Sequence, residues 1–202
     1  MNPLPINLLL VEDSEADAEL TIDTLREAGL AVAVRHVEDE PRYCAALDER
    51  LPDAILIDVN LPRFSGYKAL RIARERCPTV PILFVTGTMP EEKIIDVMRQ
   101  GATDVIYKHQ IKRLPPALTH AITEAQFRRE MQSEERELQK IEQNLRIALD
   151  FSPNCVIVVD QDGKYIYVNR KAEELLGFCQ NDLLGMTIFR NPDPVGIDVA
   201  LF

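Results

Sequence analysis

A chain of 202 residues that is 46% hydrophobic can bury a real core and has room for one or two domains. Its 33 acidic against 23 basic side chains give a net charge of −10, which excludes a surface built to grip a nucleic-acid backbone, since that takes clustered Lys and Arg. Cys44, Cys77, Cys155 and Cys179 show no metal-ligand spacing and make no disulfide framework, so a reduced, cytoplasmic setting is expected; no run reaches the roughly 18 apolar residues of a membrane span.

Ile6 to Val11 reads as an apolar strand with Glu12 and Asp13 at its carboxyl end. Ser14 is suited to cap a helix, with Asp17 completing an imperfect capping box, Ala18, Ile22 and Leu25 in helical spacing, and Gly29 as the stop. Ala31 to Val37 suits an edge strand, and Pro41 to Arg50 a weakly amphipathic helix that Leu51-Pro52 ends. The run from Asp53 to Asp58 then reads as a strand buried on both faces that ends on an acid, and Pro62 and Gly66 confine the next residues to a loop. A helix from about Gly66 to Arg76 stops at Cys77-Pro78. Pro81 to Val85 is a fourth strand, ending on Thr86-Gly87; Pro90 to Gln100 is a helix closed by Gly101; and Thr103 to Tyr107 is a fifth strand, ending at Lys108.

Strands alternating with helices predict an α/β fold, a doubly wound five-stranded parallel sheet with right-handed crossovers. Ligands bind such sheets beyond the carboxyl ends of the strands, where Glu12, Asp13, Asp58, Thr86 and Lys108 all fall. Like-charged carboxylates about 4 Å apart repel by ~4 kcal/mol per pair at an effective dielectric near 20. Either a pKa rises or a cation enters, and hard oxygen ligands suit Mg²⁺. With a fixed positive charge at Lys108 and a donor at Thr86, the set fits a site that receives a phosphoryl group on an aspartate.

Through Glu12-Asp13, Asp58 with Pro62 and Gly66 after it, Thr86-Gly87 and Lys108, residues 1–125 resemble the receiver domain of two-component response regulators, which has a flavodoxin-like fold. The resemblance implies that Asp58 is the phosphoacceptor, served by a histidine kinase or a phosphotransfer protein. It also implies that Asp13 and Asp58 hold Mg²⁺ with the backbone carbonyl of Asn60, and that Glu12 acts through water. Lys108 would pair with the phosphoryl oxygens, and Thr86 would be the switch hydroxyl. Two positions depart from the family pattern. Val105 stands three residues before the lysine, where receivers usually carry Tyr or Phe, and His109 follows the lysine in place of Pro. Tyr107, on the same strand face as Val105, is either a substitute aromatic or an ordinary strand residue.

From Pro115-Pro116 to about Leu149 the chain has no Gly and no further Pro, which predicts one long helix. Over 126–149 it is expected to act as a linker. Phe127, Met131, Leu138, Ile141, Leu145 and Ala148 recur at three- and four-residue steps, broken at Glu134, and predict a coiled coil and a parallel homodimer, the alternative being that the stripe packs on the segment that follows it in the same chain. Cys155 to Val159, Asp162-Gly163 and Tyr165 to Val168 read as a hairpin with a type I′ turn, and a helix follows from Arg170 to Leu176. Residues 150–202 resemble the opening of a PAS domain, with the tail from Gly185 to Phe202 leaving about half of that fold missing. The chain is therefore expected to start a longer sensor.

A receiver that passes the state of Asp58 to a PAS module through the linker is the leading reading, with no enzymatic activity of its own beyond phosphotransfer and dephosphorylation. The alternatives are an aspartyl-phosphate hydrolase and a pseudo-receiver acting as a dimerisation scaffold. The hydrolase calls for a second acid two residues past the nucleophile, where Asn60 stands; the scaffold calls for a lost acid or lysine, and none is lost.

Overall fold

Successive side chains of a strand point to opposite faces, and in β1 (Ile6–Val11) both faces are apolar. Leu8 and Leu10 pack on one side of the sheet while Leu9 and Val11 pack on the other. The computed structural model describes residues 5–62, 64–184 and 186–187. The expectation that the tail past Gly185 falls short of a complete second fold rests mostly on residues outside these. The chain divides after Gln132 into two compact units.

In the first unit β1 is followed by α1 (Glu15–Glu27), β2 (Val32–Val37), α2 (Glu40–Glu49), β3 (Ala54–Ile57) and α3 (Gly66–Arg76). Then come β4 (Ile82–Thr86), α4 (Glu91–Arg99) and β5 (Asp104–Tyr107). The strands are all parallel in the order β2-β1-β3-β4-β5, so β2 is an edge strand, as its mixed composition predicts. Each helix end has a local cause. Ser14 caps α1 by accepting the Asp17 N–H, and Gly29 takes φ +82° just past its end. Asp39 does the same for α2 by accepting the Arg42 N–H.

Two apolar layers sandwich the sheet. Tyr43, Ala46, Ala69, Leu70, Ala73 and Val97 of α2, α3 and α4 cover one face, and Ala18 and Leu25 of α1 cover the other together with Leu114, Leu118, Ala121 and Ile122. Ala54, Ile55, Leu56 and Ile57 of β3 are all fully buried. At about 1.5–3 kcal/mol for each buried large aliphatic side chain, this strand is firmly anchored, and it delivers Asp58.

Between β5 and the long helix α5 (Leu114–Asp150) lies a 3-10 turn, Lys108–Arg113, that no sequence pattern announces. Pro115 and Pro116 fall in the first turn of α5, where a missing N–H leaves no helical bond unmade. The buried face of α5 ends at Ile122.

The second unit has an antiparallel pair, β6 (Ile157–Val159) and β7 (Tyr165–Val168), followed by α6 (Arg170–Leu176) and α7 (Gln180–Leu183). The hairpin connection is not the type I′ turn that Asp162-Gly163 suggests. That turn needs two left-handed residues, and only Gly163 is left-handed, at φ +74°. The reason is Asp160, whose Oδ1 accepts the N–H groups of both Asp162 and Lys164 while its carbonyl accepts that of Gly163, closing a wider loop. Asn169 is fully buried and completely paired. Its Oδ1 accepts from Val156 and Ala172, and its Nδ2 donates to the carbonyls of Leu149 and Asn154, which ties the end of α5 to the hairpin and to the start of α6.

Candidate functional site

The sheet changes direction at β1: the chain leaves it through α1 to β2 on one side and returns to β3 on the other. That switch point opens the crevice in which α/β sheets bind ligands, and Glu12 and Asp58 stand on its two sides. Ladder hydrogen bonds hold both backbones. The Asp58 N–H donates to the Val11 carbonyl at 2.9 Å, and the Glu12 N–H to the Val37 carbonyl at 3.2 Å. His36, which has no catalytic partner in the sequence, steadies the same corner by donating Nε2–H to the Glu12 carbonyl at 2.7 Å. Gly66 is required by close approach: a Cβ there would lie 2.7 Å from the Asp58 carbonyl oxygen and 3.2 Å from Phe84.

Lys108, at the end of β5, reaches across the crevice. Its ammonium donates to Asp58 Oδ2 at 2.7 Å, Glu12 Oε2 at 2.8 Å and Asp17 Oδ2 at 2.6 Å. The repulsion expected among the acids is therefore met first by a cation from the protein itself. The pKa of Glu12 is raised as well. Burial pushes its pKa above the usual carboxylate value, opposed by hydrogen bonds from Lys108 and the Ser14 N–H. For Lys108, burial alone would lower the pKa; the bonds to Asp17, Asp58 and Glu12 outweigh it, and the net shift is upward. The lysine stays charged at any ordinary pH.

The structure brings together Glu12, Asp58 and Lys108 of the sequence-predicted set, and it adds Asp17. Asp17 reads from sequence only as the partner of a helix cap; its contact with a lysine far along the chain has no local signal. Asp13 is exposed and stays outside this group. Asn60 is exposed next to Asp58, and its N–H donates to Asp58 Oδ1 at 3.1 Å. Both oxygens of Asp58 are thus oriented.

Thr86 is completely buried, with its hydroxyl donating to the Thr88 carbonyl at 3.3 Å. Tyr107 donates to the Met89 carbonyl at 3.2 Å, and its ring stacks on that of His109 with centroids 5.3 Å apart. Val105 is partly buried against the α3 and α4 layer.

Ligand oxygens of Glu12, Asp17 and Asp58 lie within 4.8 Å of one another. Hard carboxylate oxygens gathered at one crevice are the donor chemistry that suits Mg²⁺.

This arrangement agrees with a direct comparison of sequences. Residues 8–119, more than half of the chain, match the family described as the response regulator receiver domain. The chain belongs to that family. Residues 149–200 match the PAS fold. The luminescence regulatory protein LuxO of Vibrio campbellii is 30% identical over 117 residues, which cover 57% of this chain and 25% of LuxO. The response regulator protein FleR of Pseudomonas aeruginosa is 36% identical over 101 residues, 50% of this chain and 21% of FleR. The chain thus spans about a quarter or less of the length of these curated relatives. The crystal structure of a CheY-like response regulator receiver domain protein from Methanospirillum hungatei shares the fold. Its TM-score is 0.56 at 21% identity, over 62% of this chain and 99% of that one. Receivers of this family are phosphorylated by histidine kinases and typically bind Mg²⁺. No helix among the described residues is long and apolar enough to cross a membrane.

Proposed function

We propose that the receiver unit is a phosphorylation switch that accepts a phosphoryl group on Asp58 from a histidine kinase or a phosphotransfer protein. The observation that carries this is the contact of the Lys108 ammonium with Asp58 Oδ2 at 2.7 Å, in a pocket that Glu12 shares. A carboxylate oxygen of Asp58 attacks phosphorus, forming a P–O bond. The P–N bond to the donor histidine breaks, and the imidazole nitrogen keeps the electron pair. Lys108, which holds its proton throughout, pairs with the phosphoryl oxygens as charge builds on them. Phosphoryl transfer depends mainly on positioning and on charge neutralisation of this kind.

Asp13, Asp58 and the Asn60 carbonyl would hold Mg²⁺, with Glu12 acting through water. When bound, the ion neutralises charge on the transferring group. Asn60 supports a switch over a hydrolase, because an amide two residues past the nucleophile carries no proton for acid-base chemistry. The receiver then turns over no separate substrate. Thr86 reports the state of Asp58 to the loop before α4, and α5 carries it toward the PAS-like unit as part of a homodimer. Four free cysteines support a cytoplasmic setting.

Incubation with acetyl phosphate and Mg²⁺ tests the reading. The expected product is an adduct of one phosphoryl group that hydroxylamine removes, as it does acyl phosphates. Turnover of phosphoester substrates without such an adduct would transfer the assignment to the hydrolase class.

A further inference from the structure

Lys108 is held by a carboxylate that the receiver reading leaves without a task. An ammonium has three N–H donors and no acceptor, and in Lys108 all three are engaged, by Glu12, Asp17 and Asp58. A bond to a phosphoryl oxygen can form only if one of these is exchanged. We propose that Asp17 is a positioning residue for Lys108, holding the ammonium over Asp58 in the resting site and releasing it when a phosphoryl group arrives. The release rests on the phosphoacceptor reading of Asp58; the resting tether does not.

Exposure decides which bond is exchanged. The side chains of Glu12 and Asp58 are 3% and 7% exposed, against 38% for Asp17. A buried carboxylate that loses its cation is left with an uncompensated desolvation penalty, whereas Asp17 exchanges the ammonium for water. Its place in the first turn of α1 also favours a free carboxylate, since the amino end of a helix carries partial positive charge. The tether is nevertheless well placed, because the backbone that bears it is fixed. The Asp17 N–H donates to Ser14 Oγ at 3.3 Å, and its carbonyl accepts from Thr21 Oγ1 at 2.8 Å. Asp17 thus biases the site toward the resting arrangement without touching the reacting phosphorus.

Two measurements on the full chain test this. First, reductive methylation followed by mass spectrometry without Mg²⁺ should label Lys108 faster in Asp17→Asn than in wild type, while the exposed Lys140 and Lys164 react at unchanged rates. An unchanged Lys108 rate would overturn the tether. Second, with Mg²⁺ present, Asp17→Asn should bind fluoroberyllate, a phosphoryl mimic, about two- to fivefold more tightly than wild type, the range expected for a partly exposed ion pair. In a Lys108→Met background that gain should vanish. A gain of equal size there would mean that Asp17 acts by repulsion alone and would overturn the positioning role, as would weaker binding by Asp17→Asn. If wild type binds no fluoroberyllate, the phosphoacceptor reading fails and the release with it, while the labelling result still decides the tether.

Discussion

Thr86 and Tyr107 are register partners across β4 and β5, and each hydroxyl holds a carbonyl of the same loop, Thr88 for the one and Met89 for the other. Two tethers therefore restrain the segment between β4 and α4. If a phosphoryl group on Asp58 recruits Thr86, one tether is lost and Tyr107 keeps the second. Thr86→Ala is expected to accept the phosphoryl group yet leave hydrogen exchange over Glu91–Tyr107 unshifted; a wild-type response would remove Thr86 from the switch. Tyr107→Phe keeps the ring and loses a bond of about 0.5–1.5 kcal/mol, so exchange of the Thr88 and Met89 amides should quicken even without phosphorylation.

Asp58→Asn replaces the proposed nucleophile by an amide of similar shape at the end of a fully buried strand. The fold should survive, and the acetyl phosphate adduct should disappear. Labelling of this variant to the wild-type level would move the acceptor to another residue.

Asp13 lies outside the carboxylates that Lys108 engages, so it is open to a metal ion. Asp13→Asn removes one ligand and one charge and should weaken Mg²⁺ binding at least about tenfold, or ~1.4 kcal/mol. Lys108→Ala acts in the opposite sense. It removes the cation that Glu12, Asp17 and Asp58 now share, and should leave Mg²⁺ binding unchanged or slightly tighter while uncoupling phosphorylation from the loop before α4. An unchanged titration for Asp13→Asn would argue against its role as a ligand.

In the second unit, Tyr167 donates to Asp150 Oδ1 at 2.6 Å. Burial, and then that bond, push its phenol up from 10.0 to about 12. The folded value is the higher one, so this contribution to stability is complete below pH 10.0 and is lost as pH rises through about 12. Tyr167→Phe should therefore lower stability to denaturant at neutral pH, and the gap to wild type should close in strong alkali. A gap that does not depend on pH would show that the phenol proton is not shared with Asp150.

Local chemistry makes most of the architecture legible. Strand β1 and helices α3 and α6 follow the expected bounds because apolar runs meet firm punctuation, such as Glu12-Asp13 after β1 and Cys77-Pro78 after α3. Glu12, Asp58 and Lys108 are legible as a group because parallel strands bring their carboxyl ends to one edge. The contacts that escape a sequence reading depend on side-chain direction across long separations. Asp17 and Lys108 are 91 residues apart, and His36 and Glu12 are 24 apart, with no shared period or motif. The turn at Asp160–Lys164 departs from its sequence signal for a different reason: the dipeptide preference is outweighed by a neighbouring carboxylate with two N–H groups in reach.

Past Ile122, α5 continues to Asp150 with Phe127, Met131, Leu138, Ile141 and Leu145 all exposed. These residues keep heptad spacing, and Glu130, Arg136, Glu137, Lys140 and Glu142 charge the remaining surface. An apolar stripe of this width on a long helix is satisfied by a second helix with the same pattern. The proposed parallel homodimer would give two receiver units a common seam, along which a change of crossing or register could travel. Glu134 would interrupt that seam. Paired with its own copy it would repel, loosening the coil locally and bringing two packings closer in energy. Leu138 and Ile141 are 68% and 57% exposed in the single chain, and burying an aliphatic side chain of this size contributes about 1.5–3 kcal/mol. Replacing both with Lys should leave each receiver folded and yield monomers by light scattering, whereas Glu134→Leu should tighten the dimer and blunt the response to phosphorylation. A wild-type chain already monomeric at high micromolar concentration would refute the coiled coil.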